Sequence, residues 1–473
     1  MRKDSEQQKK RVDKQLNLFI DTPCGQTDGS TEKTVRHGVE LSSRLENQRT
    51  LTANALERSV RYENLTRAYR QVKRNGGSSG VDRMSVGELS VWLGAHMDGF
   101  RRSIVEEQYQ VDPVRQKDIR KPDGGTRMLG IPTVKDRMIQ QAISQELMIY
   151  YDPGFSESSF GFRPGKSAHQ AVAQAARYIQ SGSEWVVDID LEKFFDKINH
   201  DRLMQRLGKG IGDKRLLRLI NSYLKAGLMA DGLVRQRTSG TPQGGPLSPL
   251  LSNIVLDELD KELEKRGHTF CRYADDCNIY VNSKKAGERV MASLINFIAN
   301  KLKLKVNRKK SGVRHCSQVK FLGYTLLPGG NIRVSDTSVT RLKDKIREIT
   351  KRNRGVSFTQ LIEELNRVVI GWANYFKLAN KWLETFRDMD GWIRRKLRCY
   401  RLKQCGRKYT IFKFLRSFGS AENSCWNVVM YSQGWWTMSS KVAVAKAMGN
   451  HWFAQQGIGV NLSIDCSEIL LII

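Results

Sequence analysis

Apolar side chains recur along this chain with two periods, one of strands and one of helices, and the shift between them divides it. Residues 1–50 show neither. They are polar and charged, with an Asp21-Thr22-Pro23 turn and a Gly25 to Gly29 stretch, which predicts a mobile basic arm. From Leu51 to Lys73 the stripe Leu56, Val60, Leu65, Ala68 and Val72 predicts a helix, stopped by Asn75-Gly76-Gly77. Lys117 to Pro132 predicts a β-hairpin turned by Asp123-Gly124-Gly125. Gly161 to Pro164 predicts another turn, and Ser167 with Gln170 a capped start for a helix over 168–180. Trp185 to Asp190 is a Val-rich run ending in acids and predicts a strand.

Thr241 to Asn253 is a Gly- and Pro-punctuated loop that opens into a helix. Ser248 is its expected N-cap, Pro249 its first helical residue, and Leu251, Val255, Leu259 and Leu263 its buried stripe. Phe270 to Val281 predicts two short strands joined by a tight turn at Asp275-Asp276. A helix over about 287–303 follows, then extended segments at Val306–Lys310 and Lys320–Leu327, the last turned back by Pro328-Gly329-Gly330. This alternation implies an α/β domain between 185 and 327. Beyond Ser338 the period is helical. Leu342, Ile346 and Ile349 mark one helix, and Leu361, Leu365, Val368, Trp372 and Phe376 another. Six of the nine Trp residues fall between 372 and 436 and are expected mostly in the core, with some free to stack on bases.

Charge narrows the function. Lys plus Arg total 79 against 49 Asp plus Glu, a net charge of +30. Such an excess points to a polyanion, and nucleic acid is the first candidate because affinity for phosphate backbones rises with the number of cationic contacts. A membrane is a poor fit, since no stretch approaches 18 uninterrupted apolar residues; Met1 to Arg11 lacks the apolar core of a secretory signal, so a cytoplasmic location is expected. The eight cysteines are scattered without Cys-x-x-Cys spacing and read as reduced, packed thiols.

The acids suggest the chemistry. Asp275 and Asp276 repel each other at a hairpin tip unless a cation lies between them. Asp190 leaves its strand where a substrate can reach it, and alternation places Asp188 on the same face. Lys121 and Arg127 flank the first hairpin turn, either as an anion clamp or as a solvated surface pair. Arg341, Lys343, Lys345, Arg347, Lys351, Arg352 and Arg354 load the helix that begins near 338.

The order Asp190, Gln243-Gly244, Tyr273-Ala274-Asp275-Asp276, Lys310, Phe321-Leu322-Gly323 resembles the palm of a reverse transcriptase. With Phe162-Arg163-Pro164-Gly165, Asp190 to Asp196, Thr241 to Asn253 and the helical Gly371 to Phe376 segment, residues 50–460 resemble the group II intron reverse transcriptases, or maturases. The resemblance implies an α/β polymerase right hand followed by an α-helical thumb: the mobile arm over 1–50, an N-terminal extension and fingers over 51–184, a palm with antiparallel sheet and packing helices over 185–332, a thumb or maturase domain over 333–420, and a C-terminal maturase or DNA-binding region over 421–473. It implies two Mg²⁺ ions on Asp190, Asp275 and Asp276. It also implies a triphosphate clamp from Lys121 and Arg127, a bulky Phe195 beneath the sugar that excludes a 2′-hydroxyl, and Gln243, Gly244 and Lys310 in the nucleotide site.

By the same resemblance Tyr273, Ala274 and Arg163 belong near primer and template, and Arg341, Lys345, Lys351 and Arg352 on intron RNA. The implied partners are group II intron RNA, an RNA template, a DNA primer or target DNA, and deoxynucleoside triphosphates. The Cys pairs of the His-Asn-His endonuclease carried by some relatives have no counterpart, so no DNA nicking is expected. The expected activity is RNA-directed DNA synthesis combined with help in splicing and retrohoming. A domesticated or defence-associated reverse transcriptase, and an RNA-binding splicing factor without polymerase activity, share the same motifs. The apolar end, Glu468 to Ile473, has no assigned role, and the oligomeric state is open.

Overall fold

The computed structural model describes residues 52–120, 124–230, 233–235, 239–241, 244–380 and 383–458. The expected arm over 1–50, Lys121, Gln243 and the apolar end over 468–473 lie outside these residues, as does the side chain of Arg127. The chain divides into two units. One runs to Ser167 and adds Val187–Ile279 and Glu288–Gly312; the other takes Ala168–Val186, Tyr280–Gly287 and the chain from Val313.

In the first unit the predicted N-terminal helix forms as two, Ala55–Ser59 and Tyr62–Asn75, because Arg61 between them is extended (ψ 148°). The stripe still faces inward: Leu56, Val60, Leu65, Ala68 and Val72 are all buried. They pack on the helix Val134–Tyr151, where Val134, Met138, Ile139, Ala142, Ile143 and Leu147 are wholly inaccessible. Each such Val, Ile, Leu or Met side chain contributes roughly 1.5–3 kcal/mol. Asn64 ties the two helices by donating to Ala142 O at 2.9 Å. The glycine loop after Asn75 is held from below, with Arg137 donating to Gly76 O and Ser78 O.

The first hairpin is present as β1 (Val114–Arg120) and β2 (Thr126–Ile131), antiparallel with Arg120 opposite Thr126. After β3 (Trp185–Ile189), β4 (Leu228–Ala230) pairs parallel with β1, and β5 (Leu233–Arg235) closes that sheet in the order β2-β1-β4-β5. The acidic hairpin is β6 (Thr269–Tyr273) and β7 (Asp276–Val281). Its second strand, β7, lies beside β3; β8 (Gly312–His315) follows later in the chain. The strand carrying Asp190 at its end therefore lies beside the strand that begins with Asp276.

Several expected boundaries move. The helix after the Gly- and Pro-rich loop spans Ser248–Lys265 with Leu247, not Ser248, at its N-cap, because Leu251 N already bonds Leu247 O at 3.2 Å. The next helix starts at Lys284 and ends in a π-helical turn, Ile298–Leu302. Val306–Lys310 is not a strand. Asn307 accepts from Lys309 N through its side chain and from Lys310 N and Ser311 N through its carbonyl, so the chain turns there and leaves Lys310 on the turn.

In the second unit Ala168–Gln180 is helical as predicted. Lys320–Leu327 is two strands, β9 (Lys320–Phe321) and β10 (Tyr324–Leu327), because Leu322 and Gly323 both turn with positive φ. β10 pairs with β11 (Asn331–Val334) across Pro328-Gly329-Gly330. The helices Asp336–Ile349 and Phe358–Tyr375 follow their stripes. Lys351, Arg352 and Arg354 do not lie on the first of these helices as expected, because it ends at Ile349 and they fall beyond it. Trp426 and Trp436 are exposed and Trp372, Trp392 and Trp435 half-buried, against the expectation of a tryptophan core; Trp452 alone is buried among the described tryptophans of this unit's helices. Among the described residues no helix is long and apolar enough to cross a membrane.

Asp136, near the start of the helix Val134–Tyr151, is 1% exposed. Tyr109 donates to one of its oxygens at 2.8 Å and Thr133 to the other at 2.7 Å, yet burial pushes its carboxyl up to about 6. Because the folded value lies above the unfolded one, the unfolded chain releases this proton first, and stability falls as pH rises from about 4 to about 6. We expect Asp136→Asn, which still accepts from Tyr109, to remove a stability loss of up to about 3 kcal/mol across that window. Urea unfolding at pH 4.5 and 7.5 checks this: the parent should lose stability relative to the variant on going to the higher pH.

Candidate active site

Val187 and Ile189 bury one face of β3, and Asp188 and Asp190 lie half-buried on the alternate face, which they share with the buried Val186. Asp190 is then fixed by the turn that replaces the expected strand. Its backbone N–H donates to Ser311 Oγ at 2.9 Å, its Oδ2 accepts from Asn307 Nδ2 at 2.9 Å, and its carbonyl accepts from Asn307 N at 2.8 Å. The same turn carries Lys310.

The hairpin tip is held from beneath by Arg272. This side chain is fully buried and forms a bidentate pair with the equally buried Asp260, at 2.7 and 2.5 Å. Its remaining donors go to Asn253 Oδ1 at 3.0 Å, Ser159 Oγ at 2.7 Å and the carbonyl of Ala274 at 2.8 Å. Ala274 sits in the left-handed region (φ 58°), which costs a non-glycine residue about 1–2 kcal/mol, and the Arg272 bond helps to hold it there. Gly161 backs onto the same turn: a Cβ at that position would stand 2.2 Å from Ala274 N. Asn253 in turn donates to Gly161 O at 2.9 Å. The turn thus rests on β6, the helix Ser248–Lys265 and the segment 158–161 together.

These supports bring Asp188, Asp190 and Asp275 within electrostatic reach of Asp276. Asp276 is exposed at the tip, and its carboxyl is pushed up to about 6 by partial desolvation and then by Asp275, Asp190 and Asp188, with Lys310 opposing. Since the side chain still meets water, the crowding of like charge is the cause that a cation would reverse. All-oxygen carboxylate donors with excess negative charge suit a hard divalent ion. Among the described residues the side chains are not gathered into a ready group of three metal ligands. The fit therefore lies in donor chemistry and charge rather than in a preformed cage.

The other expected residues divide. Tyr273 is half-buried at the end of β6, and Phe195 is half-buried with its ring 5.2 Å from that of Phe194. Phe195 O accepts from Thr241 N at 2.7 Å, so the Thr241 loop runs beside it. Gly244 (φ 129°) lies so close to β2 that a Cβ would come 2.8 Å from Gly130 O. Arg163, expected near primer and template, is instead structural. Its side chain is 2% exposed and is used up on Asp152, Ser156 O and Ser159 O. Arg341, Lys345, Lys351 and Arg352 are exposed in the second unit, with Lys345 paired to Glu348 at 3.0 Å. Sequence reasoning passed over Arg272, Asp260, Asn253, Asn307 and Ser311. The available signal was a charged residue in each of two apolar patterns, Arg272 between Cys271 and Tyr273 and Asp260 beside Leu259.

Residues 119–326 match the reverse transcriptase (RNA-dependent DNA polymerase) family, and residues 339–418 match the group II intron, maturase-specific domain. The chain is 30% identical to Protein YkfC of Escherichia coli (strain K12) over 322 residues, which cover 60% of this chain and 84% of YkfC. It is 31% identical to the group II intron-encoded protein LtrA of Lactococcus lactis subsp. cremoris over 315 residues, 53% of this chain and 51% of LtrA. A putative COX1/OXI3 intron 2 protein of Saccharomyces cerevisiae is 28% identical, over 54% of this chain and 37% of the yeast protein. The chain spans most of YkfC, about half of LtrA and little more than a third of the yeast protein.

Breaking a buried ion pair leaves an uncompensated charge and costs about 3–5 kcal/mol, whereas replacing both partners with apolar groups is far milder. Arg272→Met should therefore destabilise the chain by about 3–5 kcal/mol, and Arg272→Met with Asp260→Leu should recover most of that loss. Urea unfolding of the two variants measures it; equal destabilisation in both would mean that the pair is not what holds this region.

Proposed function

The chain belongs to the reverse transcriptase family and carries a group II intron maturase-specific domain, and from that premise we propose that it is the RNA-directed DNA polymerase of a group II intron, copying RNA into cDNA and binding intron RNA to assist splicing and retrohoming. The observation that carries the polymerase reading is the crowding of Asp188, Asp190 and Asp275 around Asp276, opposed by Lys310. The family implies a divalent metal, and we assign two Mg²⁺ ions to Asp190, Asp275 and Asp276. When bound, the ions lower the pKa of a primer 3′-hydroxyl and neutralise the charge that builds on the nucleotide phosphates.

The chain's own residues do the positioning. Asn307 and Ser311 fix Asp190 against the turn, and Arg272 fixes the backbone from which Asp275 and Asp276 project. Carboxylates held this way need no reorganisation as charge develops. Lys310 offsets the acids and adds positive charge to the nucleotide site. Lys121 and Arg127 are assigned to the triphosphate, Gln243 and Gly244 to the incoming nucleotide, and Tyr273 and Ala274 to the primer end. Phe195 is assigned to the sugar, where its ring would meet a 2′-hydroxyl. We take 51–184 as N-terminal extension and fingers, 185–332 as palm, 333–420 as the helical thumb or maturase domain and 421–473 as the C-terminal maturase or DNA-binding region. Arg341, Lys345, Lys351 and Arg352 are exposed cations for intron RNA.

Replacing both Asp275 and Asp276 with Ala should lower Mg²⁺-dependent cDNA synthesis on an RNA template by roughly 1,000-fold or more, several kcal/mol of lost transition-state stabilisation. The same variant should still promote splicing of its intron RNA. Primer extension and a splicing assay on one preparation separate the two roles. Undiminished cDNA synthesis would sink the polymerase assignment, and parallel loss of both activities would show that the acids serve folding instead.

A further inference from the structure

The described chain begins at Thr52, which is held firmly. Thr52 is wholly inaccessible; its Oγ1 donates to Gly210 O at 3.0 Å and accepts from Gly212 N at 2.9 Å. Gly210 and the neighbouring Lys209 line a cavity of about 380 Å³ in the first unit. The cavity lies between the end of the helix Val134–Tyr151, the helix His200–Gly210, the helix Ser248–Lys265 and the turn Ile298–Leu302. The 51 residues ahead of Thr52 therefore join the described chain beside this cavity. None of Asp188, Asp190, Asp275 or Asp276 lines it, so its occupant is independent of the polymerase assignment.

The lining narrows what that occupant is. Phe155, Ile198, Leu203, Ile254, Leu302 and Leu304 give an apolar floor. Around it, Glu258 engages Arg206 at 2.8 Å and Asp257 engages Lys261 at 2.5 Å. Arg202, Lys209 and Lys301 are exposed, and none of them pairs with a carboxylate among the described residues. An apolar floor beneath uncompensated cations suits a segment that is apolar in its middle and acidic at its ends, and repels a basic one.

The chain ahead of Thr52 holds one such segment. Residues 12–32 carry four acids, Asp13, Asp21, Asp28 and Glu32, against the single Lys14, in a protein whose net charge is +30. Among them lies Leu16-Asn17-Leu18-Phe19-Ile20, with Asp13 before it and Asp21 after it, and Phe19 is the one Phe, Tyr or Trp ahead of Thr52. The 31 residues from 21 to 51 separate Ile20 from Thr52. A chain of that length spans up to about 100 Å, so the segment reaches the cavity by any path. Attachment beside the rim also raises its local concentration above that of a free competitor.

We propose that residues 16–20 fill this cavity of their own chain, with Leu18 and Phe19 on the apolar floor and Asp13 and Asp21 against the cations of the rim. The segment covers apolar surface that the described residues leave open to water. It ties the start of the chain to the helices His200–Gly210 and Ser248–Lys265.

The test is hydrogen exchange, read by mass spectrometry, on the full chain in EDTA without nucleic acid. We expect the amides of residues 16–20 to exchange about tenfold or more slowly than in a free peptide of the same sequence. Phe19→Asp should abolish that protection. So should Lys209→Glu with Lys301→Glu, and separately Asp13→Lys with Asp21→Lys, whereas the four charge reversals together should restore it. Lys209 and Lys301 are exposed, and thermal unfolding verifies that the variants keep their fold. Restoration is a result that general loosening of the structure does not produce. Protection in the parent should also be unchanged on about tenfold dilution, as an intramolecular contact requires. Loss on dilution would assign the cavity to the same segment of a second copy. Free-peptide exchange in the parent, protection that survives both charge-reversed pairs, or no restoration when they are combined would place the segment elsewhere. Each of these outcomes overturns the proposal.

Discussion

Arg272 and Asp260 carry opposite charges in a place where water reaches neither. Removing two ions from water is costly, and their attraction repays it only when geometry is good and every remaining donor finds an acceptor. Here that condition draws in more of the chain, because the guanidinium has donors left for Ser159, for Asn253 on the helix that carries Asp260, and for the carbonyl of Ala274 at the tip of its own hairpin. Satisfying one buried cation therefore brings a loop, a helix and a hairpin tip to fixed positions. The left-handed Ala274 and the close contact of Gly161 are consequences of that convergence.

The acids depend on it in turn. Carboxylates crowded around Asp276 repel it, and they stay close only where the backbone gives them no way to separate. Two devices supply that restraint in the first unit. The Arg272 network sets the tip carrying Asp275 and Asp276, and the Asn307 turn grips Asp190 at its N–H, its carbonyl and its carboxylate. The turn also delivers Lys310, so the residue that relieves part of the repulsion arrives on the element that helps to create it.

Much of this was legible in the sequence because it follows from short-range rules. Period-two alternation in Trp-Val-Val-Asp-Ile-Asp put Asp188 and Asp190 on one face, and the tight turn between two β-rich runs located the second acid pair. The stripe in Ser248–Lys265 announced a buried helix, although it could not fix the start to the residue, since an N-cap is decided by a single backbone hydrogen bond. What escaped was long-range or competitive. Nothing local says that Arg272 pairs with a residue twelve positions away. Val306 favours a strand, but Asn307 bonds its own backbone and wins. Size alone places tryptophans inside; several lie outward under cations, as where Arg395 covers Trp436 at 3.9 Å. Arg163 shows the opposite error, a cation near a recognised motif whose donors are all consumed internally.

The contact between Gly161 and Ala274 also limits how this protein can be rebuilt. A hairpin borrowed from another polymerase would arrive without the bare glycine that leaves room for its turn, without the serine and asparagine that meet its arginine, and without the helical aspartate that neutralises it. The smallest exchangeable module is thus discontinuous. It comprises residues 158–161, 253–260 and 270–276, and chimeras that cut between them inherit mismatched halves of one joint.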